Sequence, residues 1–132
     1  MTTGELEKIT INLGVVDLGQ IDLLVQEGFY TNRTYFIRTA IRNQISAHAD
    51  AVRQTVARKT LVLGLQHYTR RELEEVRAAG ETLQIKVLGL ASIADDVPPE
   101  LTLATIDSVV VLGAFRASPP VKAALADRIR SS

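Results

Sequence analysis

The sequence contains no cysteine among its 132 residues, and it also lacks tryptophan. The absence of thiols excludes disulfide cross-links, thiol catalysis and cysteine-based zinc sites, and it fits a reducing compartment. The longest apolar runs, such as residues 108–115, are far shorter than the roughly 20 residues that span a bilayer. Nothing near the first residue resembles a signal peptide. We therefore expect a cytoplasmic protein that does not associate with membranes.

An excess of charge of one sign is also missing, since 15 basic residues balance 15 acidic ones. Residues 1–59 contain seven basic and six acidic side chains, so the zero net charge does not result from a basic half and an acidic half that cancel. This balance argues against a generic nucleic-acid coat, which normally has a strong basic excess. A site-specific binder remains compatible, because it can gather a few cations and backbone amides on one surface.

Groups typical of catalysis or metal binding are scarce. His48 and His67 are the only histidines, and their spacing is not that of a transition-metal site. The pair Asp95-Asp96 is more typical of a solvated turn than of a cation site. Each apolar strand segment contains one glycine, whereas a nucleotide-binding loop usually needs several. We predict no metal site, no cofactor and no enzymatic activity.

Polar and apolar residues alternate with a period of two over residues 7–13, which predicts a short β-strand. Its apolar side chains would face a core and its polar side chains would face outward: Ile9, Ile11 and Leu13 on one side, Lys8, Thr10 and Asn12 on the other. So short a strand needs a partner. The following segment offers none, so the partner strand would come from a second copy of the chain.

Two helices are predicted after this strand. The first runs from about Asp17, a candidate N-cap, to Glu27, where Gly28 stops it. The second begins near Arg33 with Asn32 as its N-cap. Its apolar residues recur at the helical period: Phe36, Ile37, Ala40, Ile41 and Ile45.

Three motifs, Lys8–Leu13, Gly28–Thr34 and Phe36–Arg42, follow one another in an order and spacing that resemble the ribbon-helix-helix family of bacterial repressors. The resemblance covers about residues 6–46. It implies an α+β fold in which two intertwined chains pair their strands into an antiparallel ribbon. In that family the ribbon enters the major groove of double-stranded DNA and reads base edges.

The resemblance also implies roles for individual residues. Lysine suits guanine, asparagine suits adenine, and threonine offers a hydroxyl and a methyl group. The free amides at the start of the second helix suit a phosphate. The implied base-contacting residues are Lys8, Thr10 and Asn12, the phosphate-contacting residues are Asn32, Arg33 and Thr34, and the dimer core consists of Ile9, Ile11, Leu13, Ile37 and Ile41. The alternative is that the polar residues merely form the solvated face of an edge strand. Arg38 and Arg42 are interpreted as surface charges or intradimer pairs.

An internal repeat follows a helical linker at residues 47–59. Three Val-Leu-Gly motifs recur at steps of 25 and 24 residues, at Val62–Gly64, Val87–Gly89 and Val111–Gly113. Fourteen positions after each valine lies another aliphatic residue, and double prolines at 98–99 and 119–120 are expected to begin helices. Each copy is predicted to be a buried strand ending in glycine and followed by a helix. We expect residues 60–132 to form a small α/β domain of about three β-α repeats, solenoid-like in one interpretation and a compact α/β domain in the other.

These patterns predict a dimeric, sequence-specific transcriptional regulator, most simply a repressor, with residues 1–46 as its DNA-binding and dimerisation domain. Open ends or an uncovered face of the repeat domain would favour a higher homo-oligomer. Binding of a small-molecule effector is the other role considered for this domain, and the sequence identifies no such effector. Two alternatives are an antitoxin of a toxin–antitoxin pair and a scaffold protein that uses the ribbon only to dimerise.

Overall fold

The computed structural model describes residues 5–130, and the contacts between Cα atoms divide the chain into two units. The first unit ends at Arg53 and the second begins at Gln54. Helices dominate the first unit, whereas strands and helices alternate in the second. The predicted mixture of helix and strand is therefore confirmed.

The first unit contains helices α1, Val15–Gln26, and α2, Arg33–Ala47. Residues 5–14 form neither helix nor strand in this single chain. The prediction that Asp17 caps α1 was wrong. Gly14 is the N-cap, and Asp17 lies in the first turn of α1, where a carboxylate interacts favourably with the helix dipole.

A third helix, α3, spans Ala49–Lys59 and includes the division between the units. It follows α2 as a separate helix because His48 leaves the helical conformation, with a φ of −108° and a ψ of 19°. The amide of His48 donates to the carbonyl of Ile45 over 3.0 Å, a tightened turn that ends α2.

Aromatic and aliphatic contacts pack the turn between α1 and α2. Ile21 is the buried residue of α1. The ring of Tyr30 lies edge-on against two rings of α2, with centroids 4.9 Å from Phe36 and 5.9 Å from Tyr35. Gly28 adopts a φ of +85° as the chain leaves α1, a conformation that glycine reaches without strain.

The second unit is a parallel sheet with the strand order β1-β2-β3-β4. Its elements after α3 are β1 Val62–Tyr68, α4 Arg70–Ala78, β2 Leu83–Ile93, α5 Pro99–Thr105, β3 Ile106–Arg116, α6 Pro119–Ala124, a 3-10 turn Ala126–Arg128, and β4 Ile129–Arg130. The three predicted β-α repeats are present, and α5 and α6 begin at the double prolines. The short β4 was not predicted.

The three Val-Leu-Gly motifs align across the sheet. Val62 pairs with Val87, which pairs with Val111, and the glycines Gly64, Gly89 and Gly113 form one row. The prediction that each strand ends at its glycine was wrong, because all three strands continue past it. Each glycine of the row keeps a positive φ of +118° to +137° inside a strand.

The core of the second unit lies between the helices and one face of the sheet. Its fully buried members include Leu73, Ile85, Leu101, Val109, Val121 and Leu125. On the opposite face, Leu63 of β1 and Leu112 of β3 are exposed. The expectation of fully buried strands was therefore wrong for β1, since successive crossovers in one direction place their helices on one side of the sheet.

Candidate nucleic-acid interface

The predicted base-contacting residues lie in the extended segment before α1. Lys8, Thr10 and Asn12 are all exposed. The apolar residues between them are exposed as well, at 74% for Ile9, 56% for Ile11 and 40% for Leu13. Such alternation would normally bury one side of the segment. In the single chain the apolar side of residues 8–13 therefore remains without a core.

The same apolar residues meet α2 at one open groove of about 770 Å³. Ile9 and Ile11 line it from the extended segment, and Ile37 and Ile41 line it from α2. Four of the five predicted dimer-core residues are thus brought together, while Leu13 is not among the lining residues. The groove has the apolar lining that a second chain could fill.

Basic side chains border this groove. Lys8 lies on the extended segment, while Arg38 and Arg42 lie one helical turn apart on α2. Thr34, from the first turn of α2, also contributes to the lining. The predicted reading segment and the start of α2 therefore share one surface, although the composition of the first half of the chain is nearly neutral.

The start of α2 has the capping arrangement predicted from the sequence. Asn32 is the N-cap, and its Oδ1 accepts a hydrogen bond of 2.7 Å from the amide of Tyr35. The carbonyl of Asn32 accepts from the amide of Phe36. Within residues 5–130, no protein group accepts from the amides of Arg33 and Thr34. Two N–H groups at the positive end of a fifteen-residue helix are thus available to an anion.

The side chain of Arg33 has a partner that the sequence did not predict. Its Nε and Nη2 donate to Oδ1 and Oδ2 of Asp22 over 2.8 and 2.9 Å, in a bidentate ion pair between α1 and α2. The hydrogen bond from the guanidinium, more than its charge, lowers the pKa of Asp22 and raises the pKa of Arg33. In the single chain the amide of Arg33, rather than its guanidinium, is free to meet a phosphate.

The two histidines, His48 at the end of α2 and His67 in β1, are not among the residues that line this groove. The Nε2 of His48 lies 3.3 Å from the side-chain nitrogen of Gln44 in α2. The Nδ1 of His67 lies 2.7 Å from the hydroxyl of Ser92 across β1 and β2. The described residues contain no group of three or more histidine and acidic side chains that could hold a metal ion. No helix in the described range is long and apolar enough to cross a membrane.

The first unit thus combines an extended segment of alternating side chains with two helices, and the second helix starts with two free amides. Compared with known families, the sequence matches the Ribbon-Helix-Helix transcriptional regulator family over residues 4–122. The chain belongs to this family. The match ends within α6, so most of the β-α repeat unit is part of the family pattern. No curated protein and no solved structure is similar enough to the chain to count as a match.

Membership defines the general activity of the chain. The family consists of DNA-binding transcriptional regulators, and its members usually dimerise.

Proposed function

We propose that this protein is a sequence-specific repressor of transcription that binds double-stranded DNA as a dimer. In the proposed dimer, residues 8–13 of two chains pair antiparallel, and Lys8, Thr10 and Asn12 of both chains enter the major groove. The observation that carries the proposal is the exposure of Ile9, Ile11 and Leu13, which have no core in the single chain. A second strand paired beside residues 8–13 would place the apolar side chains of both chains on one face of the ribbon and the polar side chains on the other.

The proposed phosphate contacts come from the start of α2. Asn32 holds the first turn in place, and the amides of Arg33 and Thr34 supply two donors to a backbone phosphate. Because the Arg33 guanidinium is held by Asp22, phosphate binding here depends on the helix terminus more than on side-chain charge. This arrangement suits a protein whose net charge is zero.

The second unit has an assembly role in this proposal. Six reader side chains in a dimer and a nearly neutral surface give limited affinity, so protein contacts between adjacent dimers would strengthen occupancy of a repeated operator. The parallel sheet provides exposed strand edges for such contacts.

The test is base selectivity. An operator selected in vitro from random DNA would be titrated by fluorescence anisotropy against wild type, Thr10→Ala and Asn12→Ala. Each variant should lose about 1–3 kcal/mol of specific binding for each lost base contact and keep its nonspecific affinity. Thr82→Ala, which removes the same groups at an exposed position of the second unit, is the matched control.

The outcomes separate the proposal from a scaffold in which the ribbon only dimerises. Selective weakening by Thr10→Ala and Asn12→Ala, with no change for Thr82→Ala, supports base reading. A wild-type protein that enriches no sequence, or an Asn12→Ala variant with unchanged selectivity, contradicts it.

A further inference from the structure

Two edges of the parallel sheet in the second unit are open within the described residues. β1 is the first strand in the sheet order, so its outer edge has no neighbour. Its side chains are exposed as well, with 68% for Leu63 and 48% for Leu65. On the other side of the sheet, β4 pairs only with Val109 and Val110 in residues 5–130. Val111–Phe115 of β3 pair with β2 on one edge and with no described strand on the other. Open edges of this kind are templates for pairing with another chain.

The internal repeat shows how these two edges fit each other. β1 pairs with β2, and β2 pairs with β3, in the same parallel register of the Val-Leu-Gly motifs. The aligned sets are Val62, Val87 and Val111; Leu63, Leu88 and Leu112; and Gly64, Gly89 and Gly113. A strand added to β3 in the same register would carry a fourth Val-Leu-Gly motif. The chain has no fourth copy, whereas β1 of a second chain supplies one.

The glycine row gives a second argument for this register. A Cβ on Gly89 would lie 2.2 Å from the carbonyl oxygen of Gly64, and a Cβ on Gly113 would lie 2.1 Å from that of Gly89. At both positions glycine is required, because a Cβ would overlap the backbone of the preceding strand. Gly64 has the same unusual φ, +129°, yet a Cβ there would meet nothing within 4 Å. Within residues 5–130, no glycine carbonyl of a preceding strand lies against Gly64. Such a carbonyl would explain why glycine is needed there.

Within the described residues, β4 and the proposed strand pair with different parts of β3. It occupies the edge of β3 at Val109 and Val110, immediately before Val111. The strand β1 begins at Val62, which is the register equivalent of Val111. A β1 strand in the repeat register would therefore start beside Val111, the residue that follows the β3 positions paired with β4 in residues 5–130.

We propose that β1 of a second copy of this chain adds in parallel to the open edge of β3, with Val62, Leu63 and Gly64 of the partner subunit beside Val111, Leu112 and Gly113. The carbonyl of Gly113 then lies against Gly64 of the partner subunit, as the carbonyl of Gly64 lies against Gly89 within one chain. This inference rests on the proposed assembly role of the second unit and is independent of base reading.

The contact is heterologous, because different edges of the two chains meet. After one contact forms, one chain keeps a free β1 edge and the other keeps a free β3 edge. In a ribbon dimer, both chains offer such edges, so dimers can be joined into an extended series. This geometry would align several DNA-binding units beside one another on a long operator.

Site-specific disulfide formation tests the contact, since the wild-type chain has no cysteine to interfere. Full-length Leu63→Cys and Leu112→Cys proteins would be mixed without DNA and oxidised gently. Neighbouring strands lie about 4.8 Å apart, within the Cα separation that a disulfide accepts. The expected product is a mixed dimer that joins the two variants. Leu103→Cys, on an exposed position of α5, is the control partner and should give no such product with Leu63→Cys.

Other products contradict the proposal. Absence of a mixed product shows that the edges do not meet, and predominance of Leu63→Cys self-dimers shows that the same surface of two copies meets instead. Asn12→Ala introduced into both cysteine variants should leave the mixed product unchanged. A failed cross-link between the two cysteine variants, in a protein that still selects its operator, thus refutes edge pairing alone. Unchanged base selectivity of the Asn12→Ala proteins, with an intact cross-link, refutes base reading alone.

A steric variant provides an independent measurement. Gly64→Ala and Gly80→Ala both place an alanine at a positive φ with nothing within 4 Å of its Cβ, but only Gly64 lies on the proposed edge. In sedimentation velocity, Gly64→Ala should lose the species larger than a dimer, while Gly80→Ala should keep them. Equal size distributions for the two variants would overturn the proposal.

Discussion

Replacement of Gly89 by alanine tests the physical account of the second unit most sharply. The new Cβ would lie 2.2 Å from the carbonyl oxygen of Gly64 and 3.1 Å from its carbonyl carbon. Both atoms belong to the backbone of β1, so no flexible side chain can move aside. The φ of +137° adds about 1–3 kcal/mol of strain for an L-residue, and relief of the overlap by strand displacement adds about 1–3 kcal/mol. We expect a total loss of roughly 2–6 kcal/mol in the free energy of unfolding of the sheet.

Gly80→Ala is the matched control for this change. Its φ is +69°, and its Cβ would meet nothing within 4 Å, so only the conformational cost of about 1–2 kcal/mol applies. Amide hydrogen exchange, followed by mass spectrometry on peptides that cover β2, reports the opening free energy of the sheet in the full chain. Equal loss of protection in Gly89→Ala and Gly80→Ala would show that the close approach of the strands is not real.

Three further changes test the first unit. Ile11→Ala should destabilise the proposed dimer by about 2–5 kcal/mol, because it empties a position that is buried only in the dimer. Sedimentation equilibrium measures this loss. The matched Ile129→Ala, at an exposed position of β4, should leave the dimerisation equilibrium unchanged. Asn32→Ala should lower the melting temperature through loss of a helix cap worth about 1 kcal/mol, and an unchanged calorimetric profile would contradict that role. The guanidinium of Arg33 lowers the pKa of Asp22. The ion pair between α1 and α2 should therefore persist at pH values near the ordinary aspartate pKa, and it should weaken only as the pH falls through the lowered pKa of Asp22. A carboxyl NMR titration measures this, and an ordinary Asp22 pKa would contradict it.

The sequence predicts local features where a single residue type dictates the backbone. Asn32 was predicted as an N-cap because its side chain competes for free amides, and the structure has that hydrogen bond. Prolines 99 and 119 were predicted at helix starts because their missing N–H is not needed there. The Val-Leu-Gly repeat predicted three β-α units, and the structure has them with the three motifs in one parallel register.

Features that depend on tertiary contacts were not predictable in the same way. The pair between Asp22 and Arg33 joins residues on either side of a turn, and only the packing of α1 on α2 brings them together. The glycines of the repeat were predicted at strand ends. Their position within the strands reflects the close approach of one backbone to the next, which a sequence pattern does not encode. Residues 7–13 were predicted as a strand and lack one in the single chain, since strand pairing requires a second chain in the proposed dimer.

The central claim, that the outward face of residues 8–13 reads the major groove, can be tested by disulfide trapping on DNA. Asn12→Cys in the cysteine-free chain would be combined with the selected operator, which carries a thiol tether on one base in either the major or the minor groove. Thr82→Cys, at an exposed position of the second unit, measures random capture. The account predicts that Asn12→Cys is trapped by the major-groove tether at one position in each half-site, well above Thr82→Cys. Trapping only from the minor groove, or at the level of Thr82→Cys, would contradict it.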